Sequence, residues 1–235
     1  MLNVKPALSL EAAKAIGRLA SLASLDAADI TVLGEAASRV RSVAARRDMI
    51  IGDSTAPTSL LIVEGWGFRS SLLADGRRQI LSIILPGDVI HTLPRGSVQP
   101  RAVTALTNLS YCSLPDLDPS RDTSGLDKAL AVSQLWDVDY LYRQIARLGR
   151  LSALERIVDW LLEMCERLIL AGQCTGLTFP LPLTQEAIAD VLGLTSVHVN
   201  RTLMTLRRNK LIHVEGGYAT ILDRTGCNQL IGPHK

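Results

Sequence analysis

The stretch that decides the fold of this chain is residues 183–212, LTQEAIADVLGLTSVHVNRTLMTLRRNKLI. Two short helical segments meet at Gly193, where glycine can adopt the left-handed conformation that ends a helix without a steric clash. Thr184 and Thr195 stand at the start of the two segments, and threonine is a favoured N-cap residue. The connection is long enough only for a tight corner. The stretch therefore predicts a helix-turn-helix.

The second segment of this motif has two distinct faces. Val199, Leu203 and Leu206 recur at i, i+4 and i+7, so they are predicted to pack against the first helix and the core. The residues left facing outward are polar, small or flexible: Ser196, Val197, Asn200, Arg201 and Met204.

The outward residues have the chemistry needed to read base edges in a major groove. Arginine can contact O6 and N7 of guanine together, and asparagine can contact adenine in the same way. Arg207, Arg208 and Lys210 lie toward the far end of the segment, where phosphates could be met. Two short helices around a glycine also occur as simple core packing. The caps, the outward arginine and a following β-hairpin around Gly216-Gly217, a predicted wing, together favour DNA binding.

The stretch from Thr184 to Ile212 resembles the DNA-binding end of the catabolite-activator/FNR (Crp/Fnr) family of bacterial transcription regulators. The resemblance implies that Ser196, Val197, Asn200 and Arg201 face bases, whereas Thr184, Thr195 and His198 meet the DNA backbone; Gln185, Arg207 and Arg208 are assigned to the same interface. Many family members have glutamate where this chain has Val197. Because valine offers only apolar contact, for instance to a thymine methyl group, we expect an operator that differs from the usual half-site.

The first half of the chain has a β pattern. Short β-type runs follow one another between residues 43 and 114, separated by turn signals such as Gly52-Asp53, Asp75-Gly76 and Pro86-Gly87-Asp88. Such spacing predicts a β-barrel or sandwich. The pieces Glu64-Gly65-Trp66 and Leu85-Pro86-Gly87-Asp88 resemble the cyclic-nucleotide-binding β-roll of the same family. Residues 8–40, which are rich in alanine, are predicted to form helices that pack on this roll.

The pocket chemistry that the family uses for cyclic nucleotides is mostly missing. Its Gly-Glu pair is replaced by His91 and Thr92, and the candidate phosphate ligand, Arg101, is followed by alanine rather than serine or threonine. We therefore expect that cyclic AMP does not control this protein. Arginines at turn tips are usually solvated, but some could build another anion site: Arg69, Arg77, Arg78 and Arg95. The predicted effector pocket, for an unknown small molecule, comprises Arg69, Arg78, His91 and Arg101.

Residues 122–149 are predicted to form one long helix. Apolar or neutral residues follow +4, +3, +4, +3 spacing, which is typical of a seam between two helices: Gln134, Val138, Leu141, Ile145 and Leu148. Tyr142 widens this apolar surface. Such a stripe is usually core, but the resemblance implies that this helix is the axis of a homodimer.

Composition restricts the remaining possibilities. The formal net charge is only +2, so any basic surface must be local. The cysteines, Cys112, Cys165, Cys174 and Cys227, lack the spacing of a metal site, and no metal or cofactor is expected. The histidines have no partners suited to catalysis, so no enzyme is predicted. Without a signal peptide or an apolar run of membrane-spanning length, the protein is expected in the cytoplasm and not in a membrane.

The resulting prediction is an α+β protein with three parts: a cyclic-nucleotide-binding-like β-roll with N-terminal helices (1–121), a dimerisation helix (122–149) and a winged helix-turn-helix domain (150–235). Its predicted function is to bind a palindromic operator in double-stranded DNA as a homodimer, with RNA polymerase as a further partner. The alternative is a ligand-binding sensor whose C-terminal domain contacts proteins and does not bind DNA.

Overall fold

The computed structural model describes residues 8–51, 59–91, 102–115 and 124–232. Packing divides the chain into two compact units. The first comprises residues 1–68 and 84–138, and the second comprises residues 69–83 and 139–235. The mixed helix and sheet architecture confirms the predicted fold class. The predicted domain boundaries at residues 121 and 149 stay predictions.

The first unit opens with α1 (Leu10–Ala20) and α2 (Ala27–Ala37). The Ser9 side chain caps α1 by accepting the Ala12 N–H at 3.1 Å. Asp26 and Asp29 form a capping box at the start of α2, since each carboxylate accepts the backbone N–H of the other residue. The predicted helices are therefore confirmed, and a capping box that uses Asp26 starts the second.

Eight strands follow within the described residues: β1 (Arg41–Val43), β2 (Asp48–Ile50), β3 (Ser59–Glu64), β4 (Gly67–Leu72), β5 (Arg78–Ile84), β6 (Val89–His91), β7 (Ala102–Ala105) and β8 (Leu109–Ser113). One antiparallel sheet of the first unit has the order β1-β8-β3-β6, and in another β7 pairs with both β2 and the start of β4. Leu61, Val63 and Cys112 pack against α1 and α2, while Ile62, Ile90 and Leu109 belong to a second apolar cluster.

The tight turns fall where the sequence predicts them. Gly65, Gly76 and Gly87 all have positive φ angles, near +85°. A Cβ atom on Gly65 would lie 2.1 Å from the Asn108 carbonyl oxygen, so this turn requires glycine for space as well as conformation. The predicted turn at Gly52-Asp53 lies outside the described residues.

The second unit contains the β4–β5 hairpin from residue 69 to residue 83 and most of the remaining elements. These are the C-terminal part of α3 (Gly125–Arg150), then α4 (Ala153–Leu170), β9 (Thr178–Pro180), α5 (Gln185–Leu192), α6 (Ser196–Arg208), β10 (Ile212–Glu215), β11 (Tyr218–Ile221) and α7 (Arg224–Ile231). The helix α4 forms the centre, because Ile157, Trp160, Leu161 and Met164 are all buried and α5, α6, α7 and β9 contact it. Ser152 and Glu155 form a capping box at its start.

Sequence patterns did not predict every element. The strands β1, β6 and β9 have three residues each, which is too short for an alternating pattern to show. The wing was predicted as a two-stranded hairpin, but β9 pairs with β11 and makes it a three-stranded sheet in the order β10-β11-β9.

Candidate nucleic-acid interface

The first helix of the predicted motif, α5, begins and ends at the residues expected. The Thr184 hydroxyl accepts the Ala187 N–H at 3.1 Å, and Gly193 is left-handed at φ 61°. Ile188, Val191 and Leu192 are buried on one face. The predicted caps of α5 are confirmed.

The second helix, α6, is oriented by the same local chemistry. The Thr195 hydroxyl accepts the His198 N–H at 3.2 Å. Val199 and Leu206 are fully buried and Leu203 is half-buried, as their spacing predicted. Thr202 is also buried, which hydrophobic spacing alone could not predict.

The opposite face of α6 is open to solvent. Ser196, His198, Asn200 and Arg201 are exposed, and the Val197 side chain is 67% exposed. The predicted outward placement of Ser196, Val197, Asn200 and Arg201 is therefore confirmed, whereas the contacts of these residues and of His198 with DNA stay predictions. An exposed valine of this kind contributes nothing to the core.

The electrostatics of α6 differ from those of the whole chain. The helix carries Arg201, Arg207 and Arg208 and has no carboxylate, although the chain as a whole has a net charge of only +2. All of these arginines are exposed, as is Lys210 just beyond the helix. The positive charge is concentrated on the element that carries the outward polar residues, where phosphates could neutralise it.

A side-chain hydrogen bond links the exposed faces of the two helices. The Asn200 amide nitrogen donates to Oε1 of Gln185 at 3.1 Å. Both residues line a groove of about 410 Å³, together with Thr184, Met204 and the wing turn at Gly216 and Gly217. The predicted interface residues Thr184, Gln185 and Asn200 are thus brought together.

The wing is attached to this groove by backbone pairing. The Leu181 N–H donates to the Gly217 carbonyl oxygen at 2.7 Å, and His213 lies 3.0 Å from the carboxylate of Glu215 on β10. Gly216 and Gly217 both have positive φ angles, which a two-residue hairpin turn of this kind needs. The predicted wing is confirmed.

Side chains that no sequence pattern connects with α5 contact its C-terminal end. Gln79 donates to the carbonyl oxygens of Asp190 and Val191, and the Arg78 guanidinium contacts the Asp190 carboxylate at 2.6 Å. Arg156 donates to the Leu192 carbonyl oxygen. Since the last carbonyl groups of a helix have no partners within it, these contacts satisfy them and fix the position of the motif.

Behind α5 lies a buried ionic cluster centred on Arg147 of α3. Its guanidinium donates to Asp159 at 2.6 Å, to Glu163 at 2.7 Å and to the side-chain oxygen of Gln144 at 2.6 Å. Gln144 in turn donates to the Val191 carbonyl oxygen at 2.6 Å. All four cluster residues are buried, so α3, α4 and α5 are joined through one hydrogen-bonded network.

The long helix α3 exposes an apolar stripe on the side opposite this cluster. Tyr142 and Ile145 are each 67% exposed, and the stripe continues over Leu135, Val138 and Leu141. Leu148, which was predicted to belong to it, is half-buried. Its role in dimerisation stays a prediction.

The predicted effector residues that the structure describes are divided between the two units, and their common pocket stays a prediction. His91 lies on β6 in the first unit, with its Nδ1 3.3 Å from the Ser59 hydroxyl. Arg69 and Arg78 belong to the second unit, where Arg78 is paired with Asp190. Thr92, Arg95 and Arg101 lie outside the described residues.

Burial keeps the cysteine thiols protonated and does not favour reactive thiolates. Burial raises the pKa of Cys112 and of Cys227 to about 11, and that of Cys174 to about 12. Within residues 8–51, 59–91, 102–115 and 124–232, no three His, Cys, Asp or Glu side chains are placed to hold a metal ion. None of the helices described is both long and apolar enough to cross a membrane.

Comparison with known proteins identifies a family model for the C-terminal part of this chain and relatives that cover most of its length. The family model of the Crp-like helix-turn-helix domain matches residues 155–229. The nitrogen fixation regulation protein FixK of Bradyrhizobium diazoefficiens is 31% identical over 212 residues, which cover 89% of this chain and 88% of that protein. The transcriptional activator protein FnrL of Cereibacter sphaeroides is 32% identical over 178 residues, which cover 70% of this chain and 71% of that protein.

Solved structures agree with this relationship. The structure of FixK2 from Bradyrhizobium japonicum superposes with a TM-score of 0.69 at 26% identity, covering 84% of this chain and 98% of that one. A CRP/FNR family transcriptional regulator from Thermus thermophilus shares the fold, with a TM-score of 0.59 at 20% identity over 82% of this chain and 98% of its own. The resemblance seen in residues 184–212 is therefore confirmed, and this chain belongs to the Crp/Fnr family of bacterial transcription regulators, with a helix-turn-helix DNA-binding domain at its C-terminal end.

Proposed function

We propose that the protein is a homodimer that binds a palindromic operator through α6 and is controlled by a small-molecule effector sensed in the β-roll. The observation that carries the proposal is the exposed first turn of α6, which presents Ser196, Val197, Asn200 and Arg201 between a capped N-terminus and a basic C-terminal half. A helix of this kind enters a major groove with its N-terminal residues toward the base edges.

The side-chain contacts at the C-terminal end of α5 favour a helix-turn-helix that is held in one orientation for contact with bases. Base discrimination needs side chains held within a fraction of an ångström of their partners. The contacts of Gln79, Gln144 and Arg156 with the last carbonyl groups of α5 restrict the motion of the motif relative to α3 and α4. A domain used only for loose protein contact would not need this restraint.

The exposed stripe on α3 supports the homodimer. A single recognition helix contacts only a few base pairs, and helix-turn-helix dimers instead place two such helices in successive major grooves roughly 34 Å apart. The side chains of Tyr142 and Ile145 would bury a large apolar area against the same side chains of a second copy. We therefore propose α3 as the dimer axis.

The effector is proposed to differ from cyclic AMP. Arg78, one of the predicted anion ligands, is already paired with Asp190, and the sequence lacks the Gly-Glu pair after Asp88. Calorimetry with cyclic AMP and cyclic GMP is expected to show no binding, and a micromolar dissociation constant for either would overturn this part.

RNA polymerase is the further partner proposed, since the relative FnrL is named a transcriptional activator. Binding to the bacterial chromosome would place the protein in the cytoplasm.

The substitution Arg201→Ala tests the reading role of α6. We expect it to weaken binding to a selected operator by about 1–3 kcal/mol and to relax the base preference at one base pair, because a bidentate contact to guanine is lost. Gel-shift titrations measure both effects, and Arg39→Ala, which removes an exposed arginine in the first unit, serves as the control. Unchanged affinity and base preference in Arg201→Ala would show that α6 is not the recognition helix.

Substitutions in the exposed apolar stripe of α3 test the proposed homodimer. Placing a charge in the apolar stripe with Tyr142→Asp is expected to shift the protein to monomers in sedimentation velocity and to abolish operator binding, since a buried unpaired carboxylate is costly. Tyr142→Phe keeps the apolar surface and is expected to stay dimeric. Equal sedimentation of the wild type and Tyr142→Asp would exclude this face as the dimer contact.

A further inference from the structure

The hydrogen bond between Gln185 and Asn200 joins the first residue of α5 to the outward face of α6. Its donor is the Asn200 Nδ2 and its acceptor is Oε1 of Gln185, at 3.1 Å. Both side chains are exposed and line the groove described above, so neither contributes to the core. Nothing in the packing of the domain requires this contact.

The contact restricts how the Asn200 carboxamide can present itself. A free asparagine side chain can exchange its oxygen and nitrogen by rotation, and therefore offers either a donor or an acceptor toward a base. In the orientation that the structure shows, Nδ2 of Asn200 faces the Gln185 oxygen on the side of α5, and Oδ1 faces the other side. One amide hydrogen and both lone pairs of Oδ1 remain available.

The remaining groups match one base better than the others. Adenine presents the N6 amino group as a donor beside N7 as an acceptor in the major groove, and asparagine contacts both atoms through Oδ1 and Nδ2. Guanine presents two acceptors, O6 and N7, and an amide fixed in one orientation cannot satisfy both. A side chain fixed before binding also loses less conformational entropy on binding.

We propose that Gln185 is a positioning residue that sets the base specificity of Asn200, fixing its carboxamide so that it selects adenine. This inference rests on the proposed reading role of α6. It differs from the phosphate-contacting role that the position of Gln185 at the start of α5 would otherwise suggest, because a phosphate contact carries no sequence information. The two roles predict different consequences when Gln185 is changed.

The experiment begins with duplexes selected from a random pool by the wild-type protein. Competition binding then measures the base preference at each position for the wild type, Gln185→Ala, Asn200→Ala and the double variant. Asn200→Ala identifies the base pair that Asn200 reads. We expect Gln185→Ala to reduce the preference for adenine at that pair by roughly five-fold, the ratio that one neutral hydrogen bond typically gives, with other positions unchanged. In the Asn200→Ala background, Gln185→Ala should have no further effect on preference.

Two further variants separate positioning from charge and from general damage. Gln185→Glu retains the acceptor for Asn200, so we expect the preference for adenine to persist, while repulsion from phosphates lowers affinity for all sequences. Gln229→Ala makes the same Gln-to-Ala change at an exposed site on α7 and is expected to alter neither quantity. Circular dichroism checks that each variant is folded.

The outcomes are distinguishable. If the wild type selects no sequence, the proposed function itself fails. If the wild type selects a sequence but Gln185→Ala weakens binding equally for all base pairs, or acts additively with Asn200→Ala on preference, then Gln185 is only a phosphate ligand and the inference is overturned.

Discussion

Removing the Arg147 side chain is expected to be the most damaging single change in the DNA-binding unit. Its guanidinium is 1% exposed and makes close contacts with two carboxylates, those of Asp159 and Glu163, whose side chains are 3% and 5% exposed. Arg147→Ala leaves both carboxylates in a buried site without their main cationic partner. The loss of one partner from a buried ion pair costs roughly 3–5 kcal/mol.

The same helix offers a matched control. Arg143 lies one turn earlier, is 28% exposed on its side chain, and reaches Glu163 only at 4.0 Å. Arg143→Ala is expected to cost about 0–1 kcal/mol, as weak and partly solvated ion pairs do. For a chain of this length each kcal/mol corresponds to about 2–4 °C in melting temperature, so Arg147→Ala should melt roughly 6–20 °C below the wild type.

The measurement is unfolding by urea and by heat, followed by circular dichroism. A variant in which Arg147 and its two carboxylate partners are neutral, Arg147→Met with Asp159→Asn and Glu163→Gln, should recover part of the loss because neither carboxylate that Arg147 contacts stays ionised. Arg147→Ala should also weaken operator binding, since Arg147 orients Gln144 and Gln144 holds the Val191 carbonyl at the end of α5. Equal stabilities of Arg147→Ala and Arg143→Ala would refute the view that this cluster organises the unit.

Two other predictions concern Gly65 and Cys112 of the first unit, and Gly76, in the β4–β5 hairpin of the second unit, is the control for Gly65. Gly65→Ala should lower the free energy of unfolding by at least about 2 kcal/mol, because alanine would be left-handed there and its Cβ atom would lie 2.1 Å from the Asn108 backbone oxygen. Gly76 has a similar φ but open space around it, so Gly76→Ala should cost only about 1 kcal/mol. Equal losses in urea unfolding would contradict this prediction. Burial raises the pKa of the Cys112 thiol from 9.0 to about 11, so the folded state holds this proton longer than the unfolded state, and stability should fall as the pH rises from 9 to 11. The melting temperature of Cys112→Ala should fall less between pH 9 and pH 11 than that of the wild type. Equal falls for the two proteins would refute the raised pKa of the Cys112 thiol.

Local chemistry explains which parts of the fold could be predicted from the sequence. Thr184, Gly193 and Thr195 each start or end a helix through contacts with residues about one helical turn away in the sequence. The ends of α5 and the start of α6 can therefore be recognised from the sequence alone. The turn at Gly216-Gly217 and the exposed stripe around Tyr142 are equally local patterns.

The parts that could not be predicted depend on contacts between distant residues. Gln79 and Arg78 reach Asp190 across more than a hundred residues, and nothing in the sequence around them indicates this partner. Gln144 and Arg147 are polar residues on a helix with an apolar stripe, so hydrophobic periodicity assigns them to solvent although they are buried. The link between Gln185 and Asn200 likewise depends on how α5 and α6 cross, which spacing along the chain does not specify.

Selection of bound sequences from random duplex DNA by the purified wild-type protein tests the central claim most directly. We predict the enrichment of a two-fold symmetric sequence whose half-sites are centred about 10–10.5 base pairs apart, as two recognition helices on one face of the duplex require. Enrichment of a single asymmetric half-site would contradict the dimer. The absence of any enriched sequence would contradict DNA reading by α6 and favour a C-terminal domain that contacts proteins.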